Sequence, residues 1–203
     1  MGKRGANYSS EEALAKRARQ EGWAARSVYK LQELDRRFRL LNSGQRVLDL
    51  GAAPGSWSQY ALKRVGRQGL VVSVDLKPIT ASLSGAVTIH DDAFALEAEQ
   101  IQEATEGRAP PFDRILSDMA PDTTGVPFAD HFASVELCDR ALEVAGHHLV
   151  AGGHLVVKLF QGPDEQALRA RLRERFKTLK SVRPKATRSQ SVEIFLVAMG
   201  LRP

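Results

Sequence analysis

The sequence predicts an α/β protein with a mostly parallel sheet and helices on both of its faces. From residue 45 onward, short apolar runs alternate with longer amphipathic stretches, the pattern of strands joined by crossover helices. Several runs are continuous in Val, Leu and Ile, as expected for strands that are buried on both faces. A turn of small residues follows the first run, where open α/β sheets bind nucleotides.

Seven strands and four helices are predicted after residue 45. The strands are Arg46–Leu50, Leu70–Asp75, Val87–His90, Arg114–Ser117, His154–Lys158, Leu179–Arg183 and Glu193–Met199. The helices are Ser56–Val65, Phe94–Thr105, Asp130–His148 and Asp164–Phe176. Ser56 is a natural N-cap, and Gly66 is placed to end the same helix. The pair Gly152 and Gly153 predicts a turn.

One or two further helices are predicted before the first strand. A helix start is indicated at Ser9, which is followed by Ser10, Glu11 and Glu12. The segment Arg26–Phe38 carries leucines and a phenylalanine on one side at helical spacing. No repeat or low-complexity linker interrupts the chain. We therefore divide it into a basic N-terminal extension, residues 1–25, and one domain, residues 26–203.

Composition and length place the chain among ordinary globular proteins. It has 203 residues, of which 43% are apolar and 26% charged. The single cysteine, Cys138, cannot form an internal disulfide, which favours a reducing compartment. No apolar run approaches the ~18–20 residues that span a bilayer, and the first residues lack the apolar stretch of a signal peptide. We expect a cytoplasmic monomer with no membrane partner.

Charge is distributed unevenly along the chain. Residues 1–39 carry ten Lys/Arg and five Asp/Glu, a net charge of +5. Residues 40–157 have a net charge of −7, and residues 158–203 have a net charge of +7. Two basic flanks around an acidic middle suggest a surface for a polyanion that both chain ends build. Solvated arginines on a helix would explain part of the pattern, but both ends being basic favours nucleic acid.

The turn after the first strand is suited to a nucleotide. The segment Val47–Trp57 combines a buried strand, a loop of Gly, Ala and Pro, and a helix start. Small residues let the backbone approach a ligand, and a helix N-terminus offers free N–H groups. The loop lacks the Gly-Lys-Ser/Thr of a Walker loop and the glycine pattern of a dinucleotide site. Asp75, at the end of the second strand, can accept hydrogen bonds from both hydroxyls of a ribose.

Asp92 follows the third strand and could contact the exocyclic amine of an adenine, although Asp91 beside it could serve equally.

Charged residues lie at the ends of three of the predicted strands. Asp118 follows the fourth strand, Lys158 closes the fifth, and Glu193 opens the last. A lysine in a buried strand needs carboxylate partners, and Asp118 and Glu193 are candidates. Lys30, on the helix before the sheet, completes the group. Two structural ion pairs would explain these residues as well as an active site would.

Four segments resemble the FtsJ/RlmE family of ribosomal RNA 2′-O-methyltransferases. They are Arg26-Ser27-Val28-Tyr29-Lys30-Leu31, Asp49-Leu50-Gly51-Ala52-Ala53-Pro54-Gly55-Ser56-Trp57-Ser58-Gln59, Ser117-Asp118-Met119-Ala120-Pro121 and Val157-Lys158-Leu159-Phe160-Gln161-Gly162. The similarity runs from about Arg26 to Gly200. It implies a Rossmann-like, seven-stranded fold that binds S-adenosyl-L-methionine and methylates a uridine ribose in large-subunit ribosomal RNA, on a ribosomal particle. The basic chain ends would hold the RNA phosphates.

The resemblance also implies roles for individual residues. The family's Lys-Asp-Lys-Glu tetrad falls on Lys30, Asp118, Lys158 and Glu193, with Lys158 as the proton acceptor. The predicted cofactor-binding residues are Gly51, Pro54, Gly55, Trp57, Asp75, Asp92 and Asp118. No metal is expected, because no Cys/His cluster has ligand spacing. The chain departs from the family at Asp122, where Asn is frequent, and at Asp91, where Gly is frequent.

The role of Lys158 and the function of the chain each have alternative interpretations. A lysine base must first lose its proton: burial and the charge of Lys30 favour that loss, whereas Asp118 and Glu193 oppose it. Lys158 could instead only orient the hydroxyl. A related methyltransferase that acts on transfer RNA or an mRNA cap would have the same catalytic residues. An RNA-binding assembly factor would keep the fold without the chemistry, and an NAD-dependent oxidoreductase is disfavoured by the missing glycine pattern.

Overall fold

A seven-stranded sheet with strand order β3-β2-β1-β4-β5-β7-β6 forms the centre of the molecule. The computed structural model describes residues 4–108, 111–188 and 190–203. The strands are β1 (Arg46–Leu50), β2 (Leu70–Asp75), β3 (Ala86–His90), β4 (Phe112–Ser117), β5 (Leu149–Phe160), β6 (Phe176–Val182) and β7 (Glu193–Leu201). β7 pairs antiparallel with β5 and β6, and the other pairs of these strands are parallel. The predicted mostly parallel α/β sheet is confirmed.

Helices cover both faces of the sheet. They are α1 (Arg4–Gln20), α2 (Val28–Phe38), α3 (Ser56–Val65), α4 (Ala98–Ala104), α5 (Pro127–His148) and α6 (Glu165–Arg175). Apolar side chains of α2 and α3 bury one face of the sheet, and those of α4, α5 and α6 bury the other. The central strands β1, β2 and β4 are therefore buried on both faces, whereas the edge strands β3 and β6 are partly exposed.

The alternation of side chains in β5 and β7 decides which residues face α2. Lys158 pairs with Phe195 across the two antiparallel strands, and Phe160 pairs with Glu193. Because directly opposed residues point to the same face, Lys158, Phe195 and Glu193 share one face of the sheet. Phe195 belongs to the core that α2 and α3 cover. Lys158 and Glu193 therefore lie at the end of that core, on the side of α2.

A buried carboxylate fixes α2 against α3. Asp35 Oδ1 accepts a hydrogen bond from the Leu41 backbone N–H at 2.8 Å. Its Oδ2 accepts from the Tyr60 hydroxyl and from Arg64 Nε, both at 2.8 Å. Burial, followed by this carboxylate, raises the pKa of Tyr60 to about 12. Since α2 also carries Lys30, this network sets the position of one tetrad residue.

Several predicted element boundaries were wrong. The first helix begins at Arg4 rather than at Ser9. The fourth helix begins at Ala98 rather than at Phe94, because the Asp92 side chain accepts from the Phe94 backbone N–H and holds a turn there. The turn predicted at Gly152 and Gly153 lies within β5, where the register with β4 shifts. Helix α5 begins three residues early, with Pro127 in its first turn.

The N-terminal helix packs on the domain. Ala18 of α1 is buried in a small cluster with Trp23, Val28, Tyr29 and Ala186. Lys63 of α3 lies 3.8 Å above the centre of the Trp23 ring, a cation–π contact. The C-terminal end of α1 and the residues after it are thus held by apolar contacts, and Lys16, Arg17 and Arg19 of this helix are exposed.

Candidate active site

The loop after β1 approaches the loop after β4 more closely than a side chain would allow. Gly51 has a φ of +72°, and a Cβ on it would lie 2.6 Å from Met119 Cγ. Glycine is therefore required at position 51 both for its backbone conformation and for its packing. This approach brings the ends of β1 and β4 together, as expected of neighbouring parallel strands.

A cleft of about 380 Å³ lies at this edge of the sheet, and we call it the Asp75 cleft. Its lining residues are Gly51, Ala53, Val74, Asp75, Leu76, Lys77, Asp92, Ala93, Phe94, Asp118, Met119, Ala120, Asp122 and Leu137. Among these described residues, four carboxylates face one lysine. The cleft is therefore acidic, and its volume lies in the range of small-molecule sites.

Asp75 is held rigidly at the mouth of the loop. Its Oδ2 accepts a hydrogen bond from the Ala53 backbone N–H at 2.8 Å, and its Oδ1 accepts from the Lys77 N–H at 2.7 Å. Each carboxylate oxygen can accept a second hydrogen bond, so two acceptor sites stay available for a ligand. This geometry fits the predicted contact with two ribose hydroxyls.

Asp91 and Asp92 point in different directions. Asp92 lines the Asp75 cleft, and its Oδ1 accepts from the Phe94 backbone N–H at 2.9 Å. Asp91 instead accepts from Gln100 Nε2 at 2.7 Å and is not among the lining residues. Of the two carboxylates that the sequence left open, Asp92 is thus the one that a ligand in this cleft can reach.

Three predicted cofactor residues do not line the cleft. Gly55 is the N-cap of α3 and has a φ of +112°, and a Cβ on it would lie 2.6 Å from the Ala81 Cβ, so packing requires glycine at this position. The backbone oxygen of Pro54 accepts from the Ala81 N–H at 2.9 Å. The Trp57 side chain is buried in the core, donates from Nε1 to the Ser27 oxygen at 2.9 Å and packs on Phe195. The Trp57 ring fills the space between α2 and the sheet and does not line the cleft, and the role of Trp57 in cofactor binding stays a prediction.

A buried ion pair separates the Asp75 cleft from a second opening. Lys158 Nζ donates to Asp118 Oδ1 at 3.0 Å and to the main-chain oxygen of the same residue. The Lys158 side chain is 8% exposed and that of Asp118 is 16% exposed. The two residues meet because β4 and β5 are parallel neighbours whose carboxyl ends lie at the same edge of the sheet.

The other two tetrad residues form a second pair. Lys30 Nζ lies 2.5 Å from Glu193 Oε1, and the same oxygen accepts from the Thr187 hydroxyl at 3.0 Å. Lys30 Nζ also lies 5.7 Å from the centre of the Phe195 ring. The four charges cancel within the group, which lets two lysines and two carboxylates be largely buried together.

The second opening, which we call the Lys158 cleft, has a volume of about 440 Å³. Its lining residues are Arg26, Lys30, Ala120, Thr123, Lys158, Phe160, Arg188, Gln190, Ser191 and Glu193. These described lining residues include four cationic side chains and one carboxylate. Ala120 lines both clefts, and the Asp118–Lys158 pair joins them. An acidic cleft and a basic cleft therefore meet at one lysine.

The sequence alone did not single out every residue of this region. Arg26 and Arg188 belong to the two basic flanks but were not assigned to the site, because nothing in their spacing brings them together. Asp49, inside β1, is fully buried and accepts from the Ser58 hydroxyl at 2.6 Å. Burial, with contributions from Asp118 and Asp75, raises the pKa of Asp49 to about 7. In the sequence, only its place at the start of the loop segment Asp49–Gln59 could have indicated that Asp49 belongs to this region.

Neither a metal-binding cluster nor a membrane-spanning helix occurs in the described part of the chain. Within residues 4–108, 111–188 and 190–203, His, Cys, Asp and Glu form no group of three or more that could hold a metal ion. No helix in the same residues is both long enough and apolar enough to cross a membrane.

Most of the chain matches one protein family. The profile of the FtsJ-like methyltransferase family matches residues 23–201. The chain belongs to the FtsJ-like methyltransferase family. The resemblance that the four sequence segments carried is thereby confirmed, and so is the prediction of a methyltransferase.

Named relatives in this family are similar over their full length. The ribosomal RNA large subunit methyltransferase E of Bdellovibrio bacteriovorus is 47% identical over 193 residues, which cover 95% of this chain and 98% of the relative. The protein of the same name from Sorangium cellulosum is also 47% identical over 193 residues and 89% covered. Each match covers 95% of this chain and most of the relative.

Solved structures share the architecture. A Plasmodium falciparum protein assigned as a ribosomal RNA methyltransferase has a TM-score of 0.77 and 25% identity, covering 88% of this chain and 98% of its own. Aeropyrum pernix fibrillarin, solved with natively bound S-adenosyl-L-methionine, has a TM-score of 0.55 and 15% identity, covering 79% of this chain and 68% of its own. The second likeness concerns the fold, which is the predicted Rossmann-like methyltransferase fold.

Proposed function

We propose that this chain transfers a methyl group from S-adenosyl-L-methionine to the 2′-hydroxyl of a uridine ribose in large-subunit ribosomal RNA, on the ribosomal particle. The observation that carries the proposal is the meeting of an acidic and a basic cleft at the Asp118–Lys158 pair. A cationic donor and a polyanionic acceptor would then approach one lysine from opposite sides. The names of the relatives support the same substrate.

The Asp75 cleft fits the donor in size and charge. S-adenosyl-L-methionine carries a sulfonium and an ammonium cation, and four carboxylates line the cleft. Asp75 would hold the ribose hydroxyls, and Asp92 the adenine amine. When bound, the donor supplies a methyl group that the positive sulfur already activates for displacement.

The Lys158 cleft fits an RNA backbone. Arg26 comes from the N-terminal basic flank and Arg188 from the C-terminal one, so the two flanks meet at one opening. Phosphate contacts would position the strand without reading its sequence, as basic side chains generally do. The basic segment of residues 1–25 would extend this surface as a separate RNA-contacting extension.

The tetrad would supply alignment and proton removal. Lys158 Nζ accepts the proton of the 2′-hydroxyl once the lysine is neutral, and the proton later leaves to water. Asp118 fixes Lys158 through two hydrogen bonds to Nζ, so the nitrogen has a defined position. Lys30 and Glu193 orient the ribose from the other side of the cleft. Holding the oxygen in line with the methyl group accounts for much of the rate.

The substrate class is tested directly by methyl transfer in vitro. The chain is incubated with labelled S-adenosyl-L-methionine and, in parallel, with free ribosomal RNA, large ribosomal subunits or transfer RNA. We expect label in a 2′-O-methyluridine of the large-subunit RNA, with the subunit as the better substrate. Label in transfer RNA alone would favour the related methyltransferase class, and donor binding without any turnover would favour an RNA-binding factor.

The expected place of action is the cytoplasm, where bacterial ribosomes are assembled. A lone, buried Cys138 is compatible with a reducing compartment. Fractionation of cells, followed by detection of the chain with the ribosomal particles, tests this part of the proposal.

A further inference from the structure

A carboxylate of the N-terminal helix lies between two arginines of the Lys158 cleft. Glu11 Oε2 is 3.4 Å from Arg26 Nη2 and 3.1 Å from Arg188 Nε. The two arginines lie far apart in the sequence, and both line the cleft. Two guanidinium groups around one oxygen form an arrangement that suits a phosphate oxygen equally well.

Glu11 satisfies these arginines incompletely. The distance of 3.4 Å to Arg26 exceeds the ~2.7–2.9 Å of a well-formed charge-assisted hydrogen bond. Arg26 Nη1 is buried and has no hydrogen-bond partner among the described residues. The Glu11 side chain remains 30% exposed, so water reaches the carboxylate. These features are typical of an ion pair in which another anion can replace the Glu11 carboxylate, rather than of a fixed structural salt bridge.

We propose that Glu11 is an internal competitor for substrate phosphate. It occupies the position between Arg26 and Arg188 in the free protein, and a backbone phosphate of the RNA displaces it. This inference rests on the RNA-binding part of the proposed function, because it requires RNA in the Lys158 cleft but no methyl transfer. A strand that places a phosphate between the arginines must first break both contacts of Glu11, whereas a polyanion bound elsewhere on the basic surface leaves them intact. Glu11 therefore lowers the affinity for RNA that enters the cleft.

The test compares Glu11→Gln with Glu12→Gln in the full chain. Glu12 is the exposed neighbour on α1 and makes no ion pair within the described part of the chain, so its variant removes the same charge without touching the arginines. The probe is a labelled polyuridine strand, and the readout is its dissociation constant. We expect Glu11→Gln to bind about threefold to tenfold more tightly than the wild type, the size of two weak ion pairs, and Glu12→Gln to change affinity less than about twofold.

A second arm separates competition from a general charge effect. In an Arg188→Gln background, the gain from Glu11→Gln should fall towards that of Glu12→Gln, because one of the two released arginines is missing. A Glu11→Gln variant that binds no better than Glu12→Gln overturns the proposal. Weaker binding together with a lower melting temperature also overturns it, since Glu11 would then be an anchor for α1.

Failure of the proposed function would look different. Donor affinity and methyl transfer to ribosomal RNA are measured on the wild type in the same preparation. If the wild type methylates the RNA and Glu11→Gln does not tighten polyuridine binding, only the competitor role is wrong. If Glu11→Gln tightens binding but the wild type transfers no methyl group, the proposed function is wrong and the competitor role stands.

Discussion

Lys158 is joined to Asp118 twice, through the carboxylate Oδ1 and through the main-chain oxygen of the same residue. Asp118 lines the acidic Asp75 cleft, and Lys158 lines the basic cleft that carries its name. One ion pair thus forms the boundary between the two openings. A group bound on either side would lie next to the same ammonium nitrogen, which is the relationship on which the predictions about catalysis depend.

The first prediction concerns Lys158 as the proton acceptor. Lys158→Ala should lower methyl transfer at saturating donor by ~10²-fold or more, because removing a general base typically has an effect of that size. Lys158→Arg should be nearly as inactive, since a guanidinium keeps its proton. Calorimetry should give a donor affinity close to that of the wild type. Lys180→Ala, on the exposed edge strand β6, is the matched control.

The pH profile adds a second readout for Lys158. The wild-type rate at saturating substrate should rise with pH until the lysine is neutral, because only the neutral amine accepts a proton. If Lys158→Arg transfers methyl groups at the wild-type rate with the same profile, the lysine acts by its charge and not as a base.

A second prediction concerns the ribose contact at Asp75. Asp75→Ala should weaken binding of S-adenosyl-L-methionine by about 1–3 kcal/mol, the effect of leaving buried polar partners unsatisfied. The control is Asp91→Ala, because Asp91 bonds to Gln100 and is not among the lining residues. Equal donor affinities for the two variants in calorimetry would move the ribose contact to another residue.

A third prediction concerns the salt dependence of RNA binding. Affinity should fall steeply as salt rises, because each neutralised phosphate releases counterions. Lys16→Glu and Arg19→Glu, both exposed on α1, should together weaken RNA binding and leave donor binding unchanged. Reversing Arg17 as well is less clean, because Arg17 Nε bonds to Glu21 at 2.6 Å. A flat salt response would rule out the basic flanks as the RNA surface.

The fourth prediction concerns the stability that Asp35 provides. Asp35→Ala removes one carboxylate that three donors share and leaves the Leu41 N–H buried without a partner. We expect the free energy of unfolding to fall by about 2–4 kcal/mol, as for loss of a buried hydrogen-bonded group. Urea denaturation measures the change, with exposed Glu12→Ala as the control. A loss below about 1 kcal/mol would mean that water replaces the carboxylate.

A fifth prediction follows from the buried Asp49. Its pKa rises from an ordinary 3.8 to about 7 on folding, so the folded protein holds a proton that the unfolded chain releases between these values. Stability from this group is complete below about pH 3.8 and is lost as pH rises to about 7. The advantage of Asp49→Asn over the wild type should therefore grow across that window and stay constant above it. Urea denaturation at a series of pH values measures the difference, and a constant difference would contradict the raised pKa.

The sequence was sufficient where the physical cause is local. The short apolar runs predicted the observed bounds of β1 and β2, because a strand that is buried on both faces is rich in Val and Leu along its length. The start of α4 was missed because the Asp92 side chain competes with the helix for the Phe94 N–H. That competition depends on the position of the turn at the edge of the sheet, which propensity does not contain.

The sequence predicted the four tetrad residues as a group but not which of them form ion pairs with each other. Charged residues inside apolar runs indicated that Lys158 and Glu193 needed partners, since a buried charge without one is costly. Which partner each takes was decided by topology. Lys158 meets Asp118 because β4 and β5 are parallel neighbours, whereas Glu193 meets Lys30 because β7 runs antiparallel and begins at the edge of the sheet where β5 ends, on the side of α2.

The sequence by itself determined the family, the α/β sheet, the glycine loop and the opposite charges of the flanks and the middle. Tertiary structure alone decided that Asp92 rather than Asp91 lines the cleft, that the Trp57 ring lies in the core, and that Glu11 sits between Arg26 and Arg188. The family follows from four sequence segments that match it in order, and the other features of the first group follow from residue type and periodicity, which act over a few neighbouring positions. The second depends on contacts between segments distant in the chain, and these exist only once the sheet has brought its strand ends together.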